Sequence, residues 1–183
     1  MSRLIHFHRL LLAGALALAA ALSVTQVAHA GPPAPEVPGT IQVDQANNKV
    51  FLIGHAVGVQ IYTCNGITWS SAVPRANLYN DHGKLIITHF RGPTWQAKDG
   101  SQAVGTVVNK VNLDRSAIDW VLLSTKTTPG PDGDRLVGTT FIQRIHTAGG
   151  VTPPAADCNA ATASKVVEVP YTADYVFWKK TAA

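Results

Sequence analysis

The sequence predicts an all-β fold, either an antiparallel sandwich or a barrel of about nine or ten short strands. Short apolar or alternating segments recur every 8 to 12 residues, separated by Gly, Asn, Asp and Pro turn signals. No long segment shows the 3.6-residue period of an amphipathic helix. Tight turns between short strands are typical of antiparallel pairing, so we expect one domain built on a single hydrophobic core.

The start of the chain predicts export. A basic beginning is followed by an apolar run at residues 10–22 and by AHA at residues 28–30, a small-x-small cleavage pattern. The apolar run is too short to cross a bilayer core of about 30 Å. We therefore expect residues 1–30 to be a signal peptide that is cleaved after Ala30. The mature protein would be secreted or periplasmic, without a membrane span.

The remaining chain divides into a leader and one domain. Residues 31–40 are proline-rich and predict an extended linker or a loose terminus. Residues 41–183 have the length of a single all-β domain. The strand signals along this domain are 50–53, 58–64, 67–69, 76–79, 84–90, 103–110, 118–125, 136–147, 165–169 and 175–179.

Alternation assigns some side chains to faces. In the segment 84–90, Ile87 and His89 share an apolar face. In the segment 136–147, the same rule places Arg144 and His146 together, on the face opposite Phe141. His89 is therefore predicted to be a hydrogen-bonded histidine of the core or of its rim.

The two cysteines predict a structural disulfide. Cys64 and Cys158 both follow the predicted cleavage site, and two cysteines in an exported domain most simply pair with each other. Neither has the close cysteine spacing or neighbouring histidines that a metal or redox site would show.

The stretch HFRGPTWQAKDGSQAVG, residues 89–105, holds most of the specialised side chains. It contains two turn signals, at residues 91–94 and 99–100, with a tryptophan between them. We take Gly92, Pro93 and Gly100 as turn formers. The candidate ligand-binding residues, one of which comes from a later strand, are His89, Arg91, Trp95, Asp99 and Arg144.

These residues leave three functional hypotheses open. The leading one is a non-catalytic protein that binds a small molecule or a carbohydrate, or that has a structural role in the cell envelope or outside the cell. The first alternative is a secreted, hydrolase-like enzyme with a pocket around His89, Trp95, Asp99 and Arg144. No catalytic residue can be assigned, because the GxSxG nucleophile motif is absent.

The second alternative is a metal site built from His82, His89 and His146. Imidazole suits zinc or copper, but these histidines lack any recognised ligand spacing, so we assign no metal and no cofactor. Nucleic acid is not an expected partner, because the 15 basic and 11 acidic residues are dispersed along the chain. The oligomeric state is left open.

A family resemblance rests on motifs spread over nearly the whole domain. They are GVQIYTC at 58–64, Trp69, HFRGPTW at 89–95, DGS at 99–101, FIQRIHTAGGVTP at 141–153, Cys158 and VPYTADYVF at 169–177. In this combination the chain resembles the small secreted bacterial and fungal family catalogued as domain of unknown function 3455. The resemblance implies a single exported domain with shared structural residues. It brings no activity and no catalytic residue.

Overall fold

A computed structural model describes residues 31–181 as one antiparallel sheet that closes into an eight-stranded barrel. The strands are β1 (Asn48–Thr63), β2 (Val73–Tyr79), β3 (Leu85–Phe90), β4 (Thr94–Ala97), β5 (Gln102–Val111), β6 (Trp120–Thr128), β7 (Thr139–Gly149) and β8 (Val166–Lys180). Each strand pairs with its neighbours in chain order. The predicted signal peptide, residues 1–30, lies outside the described residues. Residues 31–181 contain no helix long and apolar enough to cross a membrane.

Pairing of the first strand with the last closes the barrel. The β1–β8 ladder runs from Asn48 opposite Lys180 to Thr63 opposite Val166. Because β1 also pairs with β2, and β8 with β7, neither long strand is left as an open edge. The all-β class is confirmed, and of the two predicted architectures the chain adopts the barrel.

The predicted strand count was too high, because two breaks were placed inside continuous strands. Gly58 continues β1, where its missing side chain lets the backbone of Arg75 and Ala76 come close. Pro170 continues β8 just beyond the last β7 pairing, Gly149 with Tyr171; it lies opposite Val59 of β1, and its carbonyl oxygen accepts from the Gly150 N–H at 2.9 Å. Residues 67–69 contribute only an isolated bridge, whereas β4 forms between the two predicted turns.

A β-bulge in β7 corrects the predicted face of one histidine. The β7–β8 register shifts between Ile145 and Ala148, and His146 adopts a positive φ of 48°. Arg144 lines an internal cavity, whereas His146 contacts Asp174 on the outside of the barrel. Alternation alone placed these two side chains on one face, and the bulge separates them.

The barrel wall is packed on both faces. Inside lies a large apolar cluster that includes Leu78, Ile87, Trp95, Leu136, Ile142 and Phe177. Outside, the segment before β1 covers part of β6, β7 and β8, with Ile41 completely buried and Ala34 and Val37 packed beside it. The proline-rich leader is therefore extended and in contact with the wall. Gln143 holds this segment, donating from Nε2 to the Ile41 carbonyl oxygen at 2.7 Å.

The two barrel ends differ in their connections. We call the mouth end the one that carries the loops β1–β2, β3–β4, β5–β6 and β7–β8, and the far end the one with the other connections. At the mouth end the disulfide Cys64–Cys158 joins the β1–β2 loop to the β7–β8 loop. The Tyr62 hydroxyl donates to the Gly150 carbonyl oxygen at 2.7 Å and binds the same two regions together.

We expect the disulfide to contribute strongly to stability, because it spans 94 residues of sequence. The chain-entropy account gives about 4 to 5 kcal/mol for a loop of this length. The double variant Cys64→Ala/Cys158→Ala should lose about that much free energy of unfolding in urea denaturation. Thiol titration of denatured, unreduced wild-type protein should find almost no free sulfhydryl. Two reactive thiols per chain, or an unchanged urea midpoint, would contradict the assignment.

Candidate functional site

A cavity of about 240 Å³ lies inside the mouth end of the barrel. The β3–β4 connection, residues 91–93, is short, and β4 pairs with β5 only as far as Val104. The beginning of β2 and the second half of β5 therefore flank an opening above this turn. The wall consists of Gln60, Ala72, Val73, Pro74, His89, Arg91, Gly92, Pro93, Trp95, Val107, Val121, Leu123, Arg144 and Tyr175.

Three aromatic side chains in contact with one another form the floor of the cavity. His89 and Trp95 are direct cross-strand partners in β3 and β4, and their rings lie parallel with centroids 4.3 Å apart. Tyr175 of β8 meets both rings edge-on, at 5.1 Å and 5.3 Å. Gly105 gives Trp95 its space, since a Cβ there would lie 3.0 Å from the indole ring. Stacked and edge-on pairs are favourable geometries, so the floor is rigid.

His89 is a neutral histidine in this site. It is 3% exposed, and its Nδ1 contacts the Thr94 carbonyl oxygen at 2.9 Å. A carbonyl oxygen only accepts, so Nδ1 carries the hydrogen and Nε2 has the free lone pair. Burial lowers the pKa of His89 to about 4, the Thr94 contact opposes this shift, and the charge of Arg144 adds to it.

Two buried side chains of the wall have an N–H group without a hydrogen-bond partner. Gln60 is 2% exposed and Trp95 is 1% exposed. Neither the Gln60 Nε2 nor the Trp95 Nε1 meets an acceptor among the described residues. Buried donors without a partner are rare and cost roughly 1 to 3 kcal/mol each. Both side chains line the cavity, but each of these two nitrogen atoms is itself enclosed by protein.

Positive charge is supplied by two arginines. Arg144, half-buried in β7, donates from Nε and Nη2 to the Asp119 carbonyl oxygen at 3.0 Å and 2.8 Å. These bonds fix the guanidinium plane against the β5–β6 connection. Arg91 stands exposed in the β3–β4 turn, at the rim of the cavity.

Four of the five candidate ligand-binding residues meet at this cavity. His89, Arg91, Trp95 and Arg144 all line it, and Gly92 and Pro93 form the turn at its edge. Gly92 has a φ of 110°, which glycine tolerates better than any other residue.

Asp99 lies elsewhere. It follows β4 at the far end, where its carboxylate accepts from the Ser101 hydroxyl at 2.6 Å and from the Arg135 backbone N–H at 2.8 Å. The bond to the Ser101 hydroxyl, followed by the Arg135 contact, lowers the pKa of Asp99. Gly100, with a φ of 80°, completes this turn. The carboxylate thus holds two far-end loops together and takes no part in the cavity.

Among the polar and aromatic residues of the wall, the sequence analysis missed two, Gln60 and Tyr175. Both lie on the inward face of a long strand, together with Tyr62 on β1 and Phe177 on β8. Strand alternation places Gln60 and Tyr62 on one face of β1, but a polar face is ordinarily assigned to solvent. The signal that such a face points inwards comes only with closure of the barrel.

The three histidines of the metal hypothesis lie apart. His82 is exposed in the β2–β3 turn, His89 lies inside the barrel and His146 lies outside it. Within residues 31–181, no three histidine, cysteine or acidic side chains are grouped so that they could hold a metal ion.

A separate ion-pair cluster lies on the outer wall. Asp174 contacts His55 Nδ1 at 2.7 Å and His146 Nδ1 at 2.8 Å, while His55 Nε2 contacts Asp81 at 2.8 Å. A neutral imidazole can donate from only one nitrogen, so both His55 contacts require the protonated ring. Asp81, and after it Asp174, accordingly raises the pKa of His55.

His89 should make the protein less stable as the pH falls. The unfolded chain takes up a proton at this residue near pH 6.5, whereas the folded chain excludes it until about pH 4. Acidification over that interval should cost up to about 3 kcal/mol of unfolding free energy. Urea denaturation across the interval should show this component in wild type, and His89→Gln should lack it.

The exposed His82→Gln is the matched control and should retain the full dependence on pH. NMR titration of the ring gives a direct measurement. A His89 signal that titrates near pH 6.5 would show that the ring is not held neutral.

Comparison with known proteins places the chain in a family without assigning it an activity. Searches of curated proteins and of solved structures give no match. Residues 45–179, which include every strand of the barrel except the last residue of β8, match the family described as "Protein of unknown function (DUF3455)". The match includes both cysteines and every residue of the cavity wall. The resemblance inferred from the motifs is therefore confirmed, and the chain belongs to this family.

Proposed function

We propose that this protein is exported and binds a small organic molecule in the mouth-end cavity. The observation that carries the proposal is the cavity itself, whose wall combines apolar and aromatic side chains with two arginines, Arg91 and Arg144. The interior of an eight-stranded barrel is just wide enough to be filled by side chains or to hold one small ligand.

The composition of the wall favours binding over hydrolysis. Among the described residues, the wall has no carboxylate, thiol or aliphatic hydroxyl group. Its titratable groups other than the arginines are His89, a weak base, and Tyr175, whose pKa is raised by burial. The hydrolase-like alternative also relied on Asp99, which lies at the far end. A purely structural role gives no reason for a cavity lined by two arginines.

The dimensions favour a compact ligand over a carbohydrate chain. The cavity is smaller than the ~300 to 1,000 Å³ of pockets for drug-sized molecules. Trp95 does not provide an open platform for a sugar, because His89 covers one face and the side chain is 1% exposed. The occupant we infer is a molecule of about one ring.

Binding is tested with a set of one-ring compounds that carry neutral, anionic or cationic groups. At least one should give saturable shifts of the Trp95 indole N–H signal in NMR spectra, assigned by its loss in Trp95→Phe. Val107 lines the opening and is 56% exposed, so Val107→Trp should obstruct the cavity without unfolding the barrel. We expect Val107→Trp to bind the compound about tenfold more weakly than wild type, which corresponds to a steric cost of about 1.4 kcal/mol.

The matched control is Val108→Trp. Val108 is the next residue, is 51% exposed and does not line the cavity, so its variant should bind as wild type does. If none of the compounds shifts the Trp95 signal, or if both tryptophan variants bind equally well, the cavity is not a binding site.

Export is supported by the signal-like sequence of residues 1–30 and by the disulfide, a bond that persists in oxidising compartments. The full sequence, expressed in a bacterium with a working export machinery, should yield mature protein outside the cytoplasm. Its N-terminal sequence should begin at Gly31. Recovery of cytoplasmic protein that retains residues 1–30 would count against export.

A further inference from the structure

We infer that the molecule bound in the cavity is a small ring-containing organic acid whose carboxylate meets Arg144. The inference rests on the proposed function, since it names the class of ligand for the same site. It follows from three features: the sign of the charge in the wall, the fixed position of one guanidinium group, and the arrangement of apolar surface around the floor.

The charge of the wall is entirely positive. Arg91 and Arg144 contribute to it, and none of the lining residues is acidic. The nearest carboxylate on the β5–β6 connection, that of Asp119, pairs with Lys110 at 3.1 Å and accepts from Asn112 at 3.0 Å. Burial raises the pKa of Tyr175 and lowers that of His89; the charge of Arg144 opposes the first shift and adds to the second, so its field reaches the floor.

The guanidinium group of Arg144 is already positioned to bind an anion. Its Nε and Nη2 both donate to the Asp119 carbonyl oxygen, which fixes the plane of the guanidinium group. A guanidinium group has five N–H donors, so further donors are left for a ligand. Because the group is already positioned, a carboxylate could bind it with little ordering of the side chain.

The approach to the cavity is also basic. An adjoining surface groove of the mouth end shares Arg144 and Ala72 with the cavity and includes Lys110 and Arg115. Asp119 is its only acidic residue. A rim with an excess of positive charge concentrates anions near the opening and raises their rate of association.

The remaining wall suits a flat apolar body. Val107, Val121 and Leu123 form one side, with Pro93 at the edge. The rings of His89 and Tyr175 form the floor. The Nε2 lone pair of His89 can accept from a ligand hydroxyl. A ring carrying a carboxylate therefore satisfies both the charge and the shape of the site.

Four probes of similar shape but different charge test the preference for an acid. They are benzoate, benzamide, benzyl alcohol and benzylammonium. We expect benzoate to bind about tenfold more tightly than benzamide, because hydrogen bonds to charged partners are stronger than those between neutral groups. Benzylammonium should bind most weakly. The measurement is the dissociation constant from NMR titration of the Trp95 indole signal, at low salt and again at high salt.

Four variants at three arginines identify the residue responsible for the preference. Arg144→Gln should reduce the ratio of benzoate to benzamide affinity to near one, while Arg144→Lys should retain part of it. Arg91→Gln changes an exposed residue of the β3–β4 turn, and it should weaken benzoate binding to a smaller extent. Arg135→Gln makes the same change on an exposed far-end arginine and should have no effect.

The outcomes distinguish the inference from the proposed function. If benzamide or benzyl alcohol binds as tightly as benzoate, with saturable shifts that Val107→Trp weakens, the cavity binds ligands but the preference for an acid is wrong. If Arg144→Gln binds benzoate as wild type does, Arg144 is not the site of the carboxylate. If none of the four probes shifts the Trp95 signal, the inferred ligand class is overturned, and only the wider compound set can sustain the cavity as a binding site.

Discussion

The ladder between β1 and β8 is the interaction on which the rest of the structure depends. It joins strands from the two ends of the domain and extends over the full length of β1. Without it the sheet would have two long free edges, which are prone to pair with other chains, and it would enclose nothing. Closure converts the inward faces of eight strands into one interior. The cavity, the buried histidine and the unmatched donors exist only because that interior is closed.

Within the interior, polarity is segregated along the barrel axis. Apolar side chains such as Leu78 and Leu136 occupy one part, and Gln60, His89 and Arg144 surround the cavity at the mouth end. The outer wall shows that this chain can satisfy buried polar groups completely: Gln143 donates to the Ile41 carbonyl oxygen and accepts from the Trp178 indole at 2.8 Å. Gln60 and Trp95, beside the cavity, each leave one N–H group without a partner among the described residues.

Sequence reasoning identified the all-β fold class and named four side chains that line the cavity, and its errors have physical causes. Turn residues and alternation indicated an antiparallel β fold and placed His89 on an apolar face, where it lies. They also grouped Asp99 with His89, because sequence neighbours were taken as spatial neighbours. The four residues of β4 separate them by the length of a strand. The bulge at His146 and the inward direction of Gln60 depend on pairing and closure, which no local pattern reports.

At the mouth end, some loops are joined to one another, and an opening lies where the β3–β4 hairpin is short. The disulfide Cys64–Cys158 and the Tyr62 hydroxyl fix two loops to each other, and Arg144 fixes a third. The opening between β2 and β5 results from the short β3–β4 hairpin, whose pairing with β5 ends at Val104. Access to the cavity therefore requires no loop to open, and a bound molecule bears little cost for ordering the rim. The selectivity of the proposed site must then come from the fixed wall itself, that is, from its positive charge and from the aromatic floor of His89, Trp95 and Tyr175.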